Sequence, residues 1–136
     1  MPKSLSHVVV LTEDLDAVVT FLADVARITA VQPYEAKAED LGPLFGWSSS
    51  ARGAFVGEGP GAVDILEIPE AERGTTAPGV RLLAVVNRDA EAAGEAATAA
   101  GHRVRGPFHT TAATGAPMSL VEVTVGGLPF ELVQFG

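Results

Sequence analysis

The sequence predicts an α+β protein built from two βαβββ modules. Three observations carry this prediction. A chain of 136 residues fits one domain with a sizeable core. Short β-branched apolar runs alternate with two longer stretches of helical period. The order of elements in the first half then returns in the second, and a repeat of that kind outweighs any single motif.

Taken in order, "HVVVL" (7–11) is too short for a helix and rich in valine, so it reads as a buried strand. "TEDLDAVVTFLADVARI" (12–28) sets Leu15, Val18, Val19, Leu22 and Val25 at helical spacing, with Thr12 or Asp14 to cap the first amides. "TAVQPY" (29–34) reads as a strand whose Pro33 suits a sheet edge. "EAKAEDLGPLFGW" (35–47) holds a short helical turn that Gly42-Pro43 is expected to stop. "RGAFVGEG" (52–59) and "GAVDILEI" (61–68) are two further strands, joined by the turn Gly59-Pro60-Gly61. The polar stretch "PEAERGTTAP" reads as a linker, which gives one domain with module one at about 1–69, a linker at about 70–78 and module two at about 79–136.

In module two, "VRLLAVV" (80–86) is a strand and "NRDAEAAGEAATAAG" (87–101) a helix, capped near Asn87 or Asp89 and ended by Gly101. "HRVRGPF" (102–108) is a strand expected to end at Pro107, before a Gly/Thr/Ala-rich loop, "PFHTTAATGAP". "MSLVEVTV" (118–125) and "LPFELVQF" (128–135) form a hairpin through Gly126-Gly127. The repeat reaches single residues: Asp14 follows His7 by seven positions, as Asp89 follows Leu82. Laying "AVDILEI" over "PFELVQF" pairs Asp64 with Glu131 and Glu67 with Gln134. Each half has too little helix to cover its apolar sheet, so the halves are expected to pack together.

Composition removes several function classes. Nine Lys and Arg against seventeen Asp and Glu give a formal charge of −8, and the bases are scattered apart from Arg103 and Arg105. Nucleic acid and anionic membranes are therefore not expected partners. Mean hydropathy is +0.27, yet no apolar run approaches the roughly 18 residues of a membrane span. The absence of cysteine excludes disulfides, thiolate zinc sites and cysteine nucleophiles. "MPKSLS" lacks the apolar core of a secretory signal, so a cytoplasmic protein is expected. "VGEGPGAV" lacks the lysine and the context of a phosphate-binding loop, and there is no G-x-S-x-G elbow.

A duplicated βαβββ unit that opens with "SHVVVLTEDLDAVVTFL" and closes with "GGLPFELVQF" resembles the vicinal oxygen chelate (VOC) superfamily over nearly the whole chain. That group includes glyoxalase I, bleomycin- and fosfomycin-resistance proteins, methylmalonyl-CoA epimerase and extradiol dioxygenases. The resemblance implies one curved, eight-stranded mixed sheet around a cleft for a small-molecule ligand. It also implies metal ligands on the first and last strands of each module, at the positions of His7, Asp64, Leu82 and Glu131. Leu82 has no lone pair, which leaves His7, Asp64 and Glu131 as candidate ligands for Zn, Ni, Mn or Fe, with Glu131 also the candidate proton-moving carboxylate. Glu67 competes with Asp64, because acids three apart on a strand face opposite ways.

The alternatives at these positions are structural. His7 is either a ligand or general base, or a strand-end histidine satisfied by water or backbone. Glu131 lies between Phe130 and Leu132, where an unpaired carboxylate is costly, so it either lines the cleft or reaches solvent from an edge strand. Around the cleft, Leu82 supplies an apolar corner, Trp47 with Phe45 a lid or plain packing, Arg105 a contact for a carboxylate or phosphate, and His109 a rim contact. His102 is expected at the surface. Two functions follow from the resemblance: a divalent-metal lyase or isomerase acting on a carbonyl or enediolate, or a metal-free drug- or metabolite-binding protein of the bleomycin-resistance type. A structural or regulatory dimer is a third reading, and the edge strands make a homodimer the expected assembly.

Overall fold

A computed structural model of the chain describes residues 5–58, 61–112 and 115–136. The chain divides into two compact units, residues 7–81 and residues 82–136 with the first residues of the opening strand. Module one contains β1 (Leu5–Thr12), α1 (Leu15–Asp24), β2 (Val31–Ala36), α2 (Ala38–Phe45), β3 (Ala51–Val56) and β4 (Val63–Glu67). Module two contains β5 (Gly79–Val86), α3 (Ala90–Ala99), β6 (Arg103–Thr111), β7 (Pro117–Val125) and β8 (Leu128–Phe135). The fold is α+β, two βαβββ modules with the strand orders β2-β3-β4-β1 and β5-β8-β7-β6. In each, the first strand runs parallel to the last and the remaining pairs are antiparallel. The turn expected at Gly59-Pro60-Gly61 lies partly outside the described residues, as does most of "MPKSLS".

The duplication read from the sequence has a physical counterpart at the helix starts. The carboxylate of Asp14 accepts the Ala17 N–H at 3.0 Å, and that of Asp89 accepts the Ala92 N–H at 3.0 Å. The first amide of each helix is taken by the end of the module's last strand. Leu15 N–H donates to Glu67 Oε2 at 2.8 Å, and Ala90 N–H donates to Gln134 Oε1 at 2.9 Å. Two amides that a helix start leaves without partners are thereby satisfied twice over, by the residue pairs that the repeat aligns.

The helices α1 and α3 each cover one face of their module's sheet. Leu15 of α1 joins Ala54, Val56 and Ile65, with Val18, Val19 and Leu22 packed alongside. Ala90 of α3 joins Val121 and Val123, with Ala97, Val104 and Leu132 alongside. Strand alternation sends His7, Val9, Asp64, Phe55 and Tyr34 to the face of module one opposite α1, at whose other end Leu41 and Phe45 of α2 pack against Leu11 and Leu66. By the same rule, Leu82, Glu131, Glu122 and Arg105 share the face of module two opposite α3.

Three local expectations are corrected. The helix α2 runs through Gly42 and Pro43 and ends at Gly46, whose φ of 76° closes it. Pro43 removes one amide donor, but Leu41 is buried in a core with Leu11, Leu66 and Ile68, against which Phe45 packs, and this anchors the last turn. Strand β6 continues past Pro107 to Thr111, because a bulge between Arg105 and Phe108 absorbs the irregularity and the ladder resumes at Phe108–Leu120. Gly106 makes that bulge possible: its φ is +103°, and a Cβ there would stand 2.9 Å from the Leu120 carbonyl oxygen. His109 therefore sits in a strand, not in a loop. The polar stretch after β4 has local structure of its own. It holds a 3-10 turn at Glu70–Glu72, accepts Trp47 Nε1–H at Thr76 Oγ1 (3.2 Å) and accepts Ser48 N–H at Glu72 Oε1 (3.2 Å).

Candidate functional site

The choice between Asp64 and Glu67 is decided by register. Asp64 pairs with Val9 on β1 and Phe55 on β3, which puts it on the face opposite α1 that also carries His7. Glu67 turns towards α1, where it accepts the Leu15 amide and binds Arg52 at 3.0 Å. The Arg52 hydrogen bond holds the Glu67 carboxyl below its ordinary range.

On that face of module one, His7 is half-buried with its ring edge-on to Phe55, centroids 4.9 Å apart. Burial lowers the imidazole pKa and favours the neutral ring. The Tyr34 hydroxyl donates to Asp64 Oδ1 at 2.5 Å. Burial pushes the Asp64 carboxyl up to about 6, and the hydrogen bond from Tyr34 opposes that rise. The Tyr34 ring reaches Asp64 by lying over Gly53, its cross-strand partner on β3. A Cβ on Gly53 would come within 2.4 Å of Tyr34 Cζ. Tyr34 is a candidate site residue that sequence reasoning missed, and its trace was a glycine inside the strand "RGAFV", the usual mark of close approach by another group.

On module two, a polar row crosses three strands in register. Arg105 on β6 stands opposite Glu122 on β7, and Glu122 stands opposite Glu131 on β8. Glu122 and Glu131 are 8% and 9% exposed, and Arg105 Nη1 lies 3.3 Å from Glu122 Oε1 with its guanidinium 5.6 Å from the Phe108 ring. Glu122 was also missed, although it interrupts "MSLVEVTV" much as Glu131 interrupts "LPFELVQF". Leu82 lies on the same face and is 3% exposed.

The other expected contacts part company. His109 pairs with Ser119 across β6–β7, its Nδ1 3.2 Å from Ser119 Oγ, on the face opposite Glu131. Trp47 is buried in the core with Leu11 and Leu66, stacked on Phe45 at 4.9 Å. Its role is packing rather than a lid. His102 is exposed, as expected.

The donor set does not fit the four-cornered ion that the VOC resemblance implies. Leu82 brings no lone pair, Asp64 Oδ1 is taken by Tyr34, and the His7 ring packs on Phe55. Among the described residues, no three His, Cys, Asp or Glu side chains form a group able to hold a metal ion. No described helix is long and apolar enough to cross a membrane.

Comparison with solved structures defines the class of fold. The chain is similar to a hypothetical protein from Bacillus halodurans, with 14% identity, 98% of this chain and 95% of that chain covered, and a TM-score of 0.72. It is similar to methylmalonyl-CoA epimerase from Mycobacterium tuberculosis, with 19% identity, coverage of 96% and 86%, and a TM-score of 0.69. A variant of Streptomyces coelicolor methylmalonyl-CoA epimerase in complex with 2-nitronate-propionyl-CoA gives 18% identity, coverage of 96% and 95%, and a TM-score of 0.67. The chain thus has the VOC fold, the glyoxalase-like arrangement expected from its repeat. No protein-family model and no curated protein sequence matches it.

Proposed function

We propose that this protein binds a small molecule on the sheet faces opposite α1 and α3 and does so without a divalent metal, as a drug- or metabolite-binding protein of the bleomycin-resistance type. The observation that carries this reading is Leu82. It occupies the seat that the repeat matches to His7, and it is 3% exposed, an apolar side chain where a metal centre needs a donor. Tyr34 supports the same reading, because it supplies Asp64 with a hydrogen-bond donor of the protein's own. A homodimer and a cytoplasmic setting belong to the same proposal.

A second reading keeps the metal-dependent lyase or isomerase, with His7, Asp64 and Glu131 as ligands and Glu131 as the proton-moving group. It is favoured by the orientation of all three towards the sheet faces opposite α1 and α3 and by the epimerases among the structural neighbours. Metal analysis of protein purified without chelator separates the two. Binding without metal predicts far less than one ion per chain in both the wild type and His7→Ala. One ion per chain in the wild type, lost in His7→Ala, overturns it in favour of the enzyme.

A further inference from the structure

The face of module one opposite α1 gathers three aromatic rings around one carboxylate. Phe55 stands directly across the β3–β4 ladder from Asp64. The His7 ring meets Phe55 at 4.9 Å and 71°, and the Tyr34 ring lies 6.2 Å from Phe55 on the other side, with its hydroxyl on Asp64 Oδ1. All four residues keep part of their surface exposed, so the cluster is not sealed in the core.

Elementary electrostatics says what such a cluster attracts. Aromatic faces carry negative charge density and draw cations, most strongly organic ones that shed their water easily. A carboxylate drawn partly out of water attracts a cation more strongly than one at the surface. No described Lys or Arg of module one pairs with Asp64: Arg52 is engaged with Asp16 and Glu67 on the α1 side, and Lys37 approaches Glu39. The chain as a whole carries −8, which favours approach of positive ligands over negative ones. A small hard ion is served poorly here, since it needs several oxygen or nitrogen donors and the cluster offers chiefly rings.

We propose that this face of module one binds an organic cation, a protonated or quaternary amine, with Asp64 as the countercharge and Phe55, Tyr34 and His7 as the ring wall. The proposal rests on the reading that the protein binds a small molecule without metal, and it adds the chemical class of that molecule. Tyr34 is a positioning residue in this arrangement: its hydroxyl fixes the carboxylate, and Gly53 leaves the room its ring needs.

The test is isothermal titration of the chelated protein with choline and with 3,3-dimethylbutan-1-ol, a neutral molecule of nearly the same shape. Choline should bind at least about tenfold more tightly than the alcohol. Asp64→Asn should abolish that preference while melting cooperatively. Phe55→Leu, which keeps an apolar side chain, should weaken choline binding and leave the alcohol little changed. Equal binding of the two probes, an undiminished preference in Asp64→Asn, or no choline binding at millimolar concentration overturns the proposal. Neutral ligands found without any cation preference would leave the small-molecule reading standing, whereas a stoichiometric metal ion would remove the reading itself.

Discussion

Gly53→Ala is expected to break the Tyr34–Asp64 contact from the strand that lies between the two residues. A methyl group there would meet Tyr34 Cζ at 2.4 Å and Cε1 and Oη at 2.7 Å, well inside contact distance. The backbone of β3 is held in ladders on both sides, so the ring has to move. Its departure forfeits a hydrogen bond to a carboxylate, worth about 1.5–3 kcal/mol, against which alanine recovers about 0.5–1 kcal/mol over glycine in a strand. The net cost is about 1–2 kcal/mol. In a Tyr34→Ala background the clash is gone, and the same substitution should be neutral or slightly stabilising. Urea unfolding of the four proteins in the cycle gives the coupling directly, expected at about 1.5–3 kcal/mol, and m-values should be unchanged. A cost for Gly53→Ala that is the same with and without Tyr34 would refute the placement of the ring over Gly53.

Further outcomes follow from the same residues. Asp64 binds its proton more tightly folded than unfolded, so its contribution to stability is greatest below about pH 3.8 and falls as pH rises to about 6. At about 1.4 kcal/mol per pH unit the loss approaches 3 kcal/mol, read as a gap against Asp64→Asn that widens over that interval; parallel stability curves would contradict it. Glu67 behaves oppositely, because its carboxyl is held low: its advantage over Glu67→Gln should be present near neutrality and vanish as pH falls below the usual glutamate range. Gln134→Ala, which strips the first amide of α3 of its acceptor, should cost about 1 kcal/mol at any pH in thermal or urea unfolding. Leu82→Ala should cost about 2–5 kcal/mol as a core truncation, and a value near zero would place that side chain in open space.

What could be read from the sequence was local or repeated. The caps at Asp14 and Asp89 were legible because capping is decided within a few residues, and the strands because β-branched runs are short and bounded by turns. The repeat also aligned Glu67 with Gln134, although only the folded strand end reveals that both accept a helix's first amide. The missed features depend on register between strands. Asp64 and Glu67 are three apart and must face opposite ways, but nothing in "VDILE" says which way is which. Tyr34 and Asp64 are thirty residues apart and meet only because β2 and β4 flank the same glycine-bearing strand. Pro43 and Pro107 misled for one reason: each interrupts a local pattern that tertiary packing or a bulge carries past it.

Ligand binding in the presence of chelator bears most directly on the proposed function. A thermal-shift panel of drug-like and metabolite-like molecules, including amines, would be run once with EDTA and once with Mn²⁺ and Zn²⁺. Metal-free binding predicts the same ligands and the same shifts under both conditions. Ligands that stabilise the protein only when the ions are present, and lose that effect in His7→Ala, would contradict it.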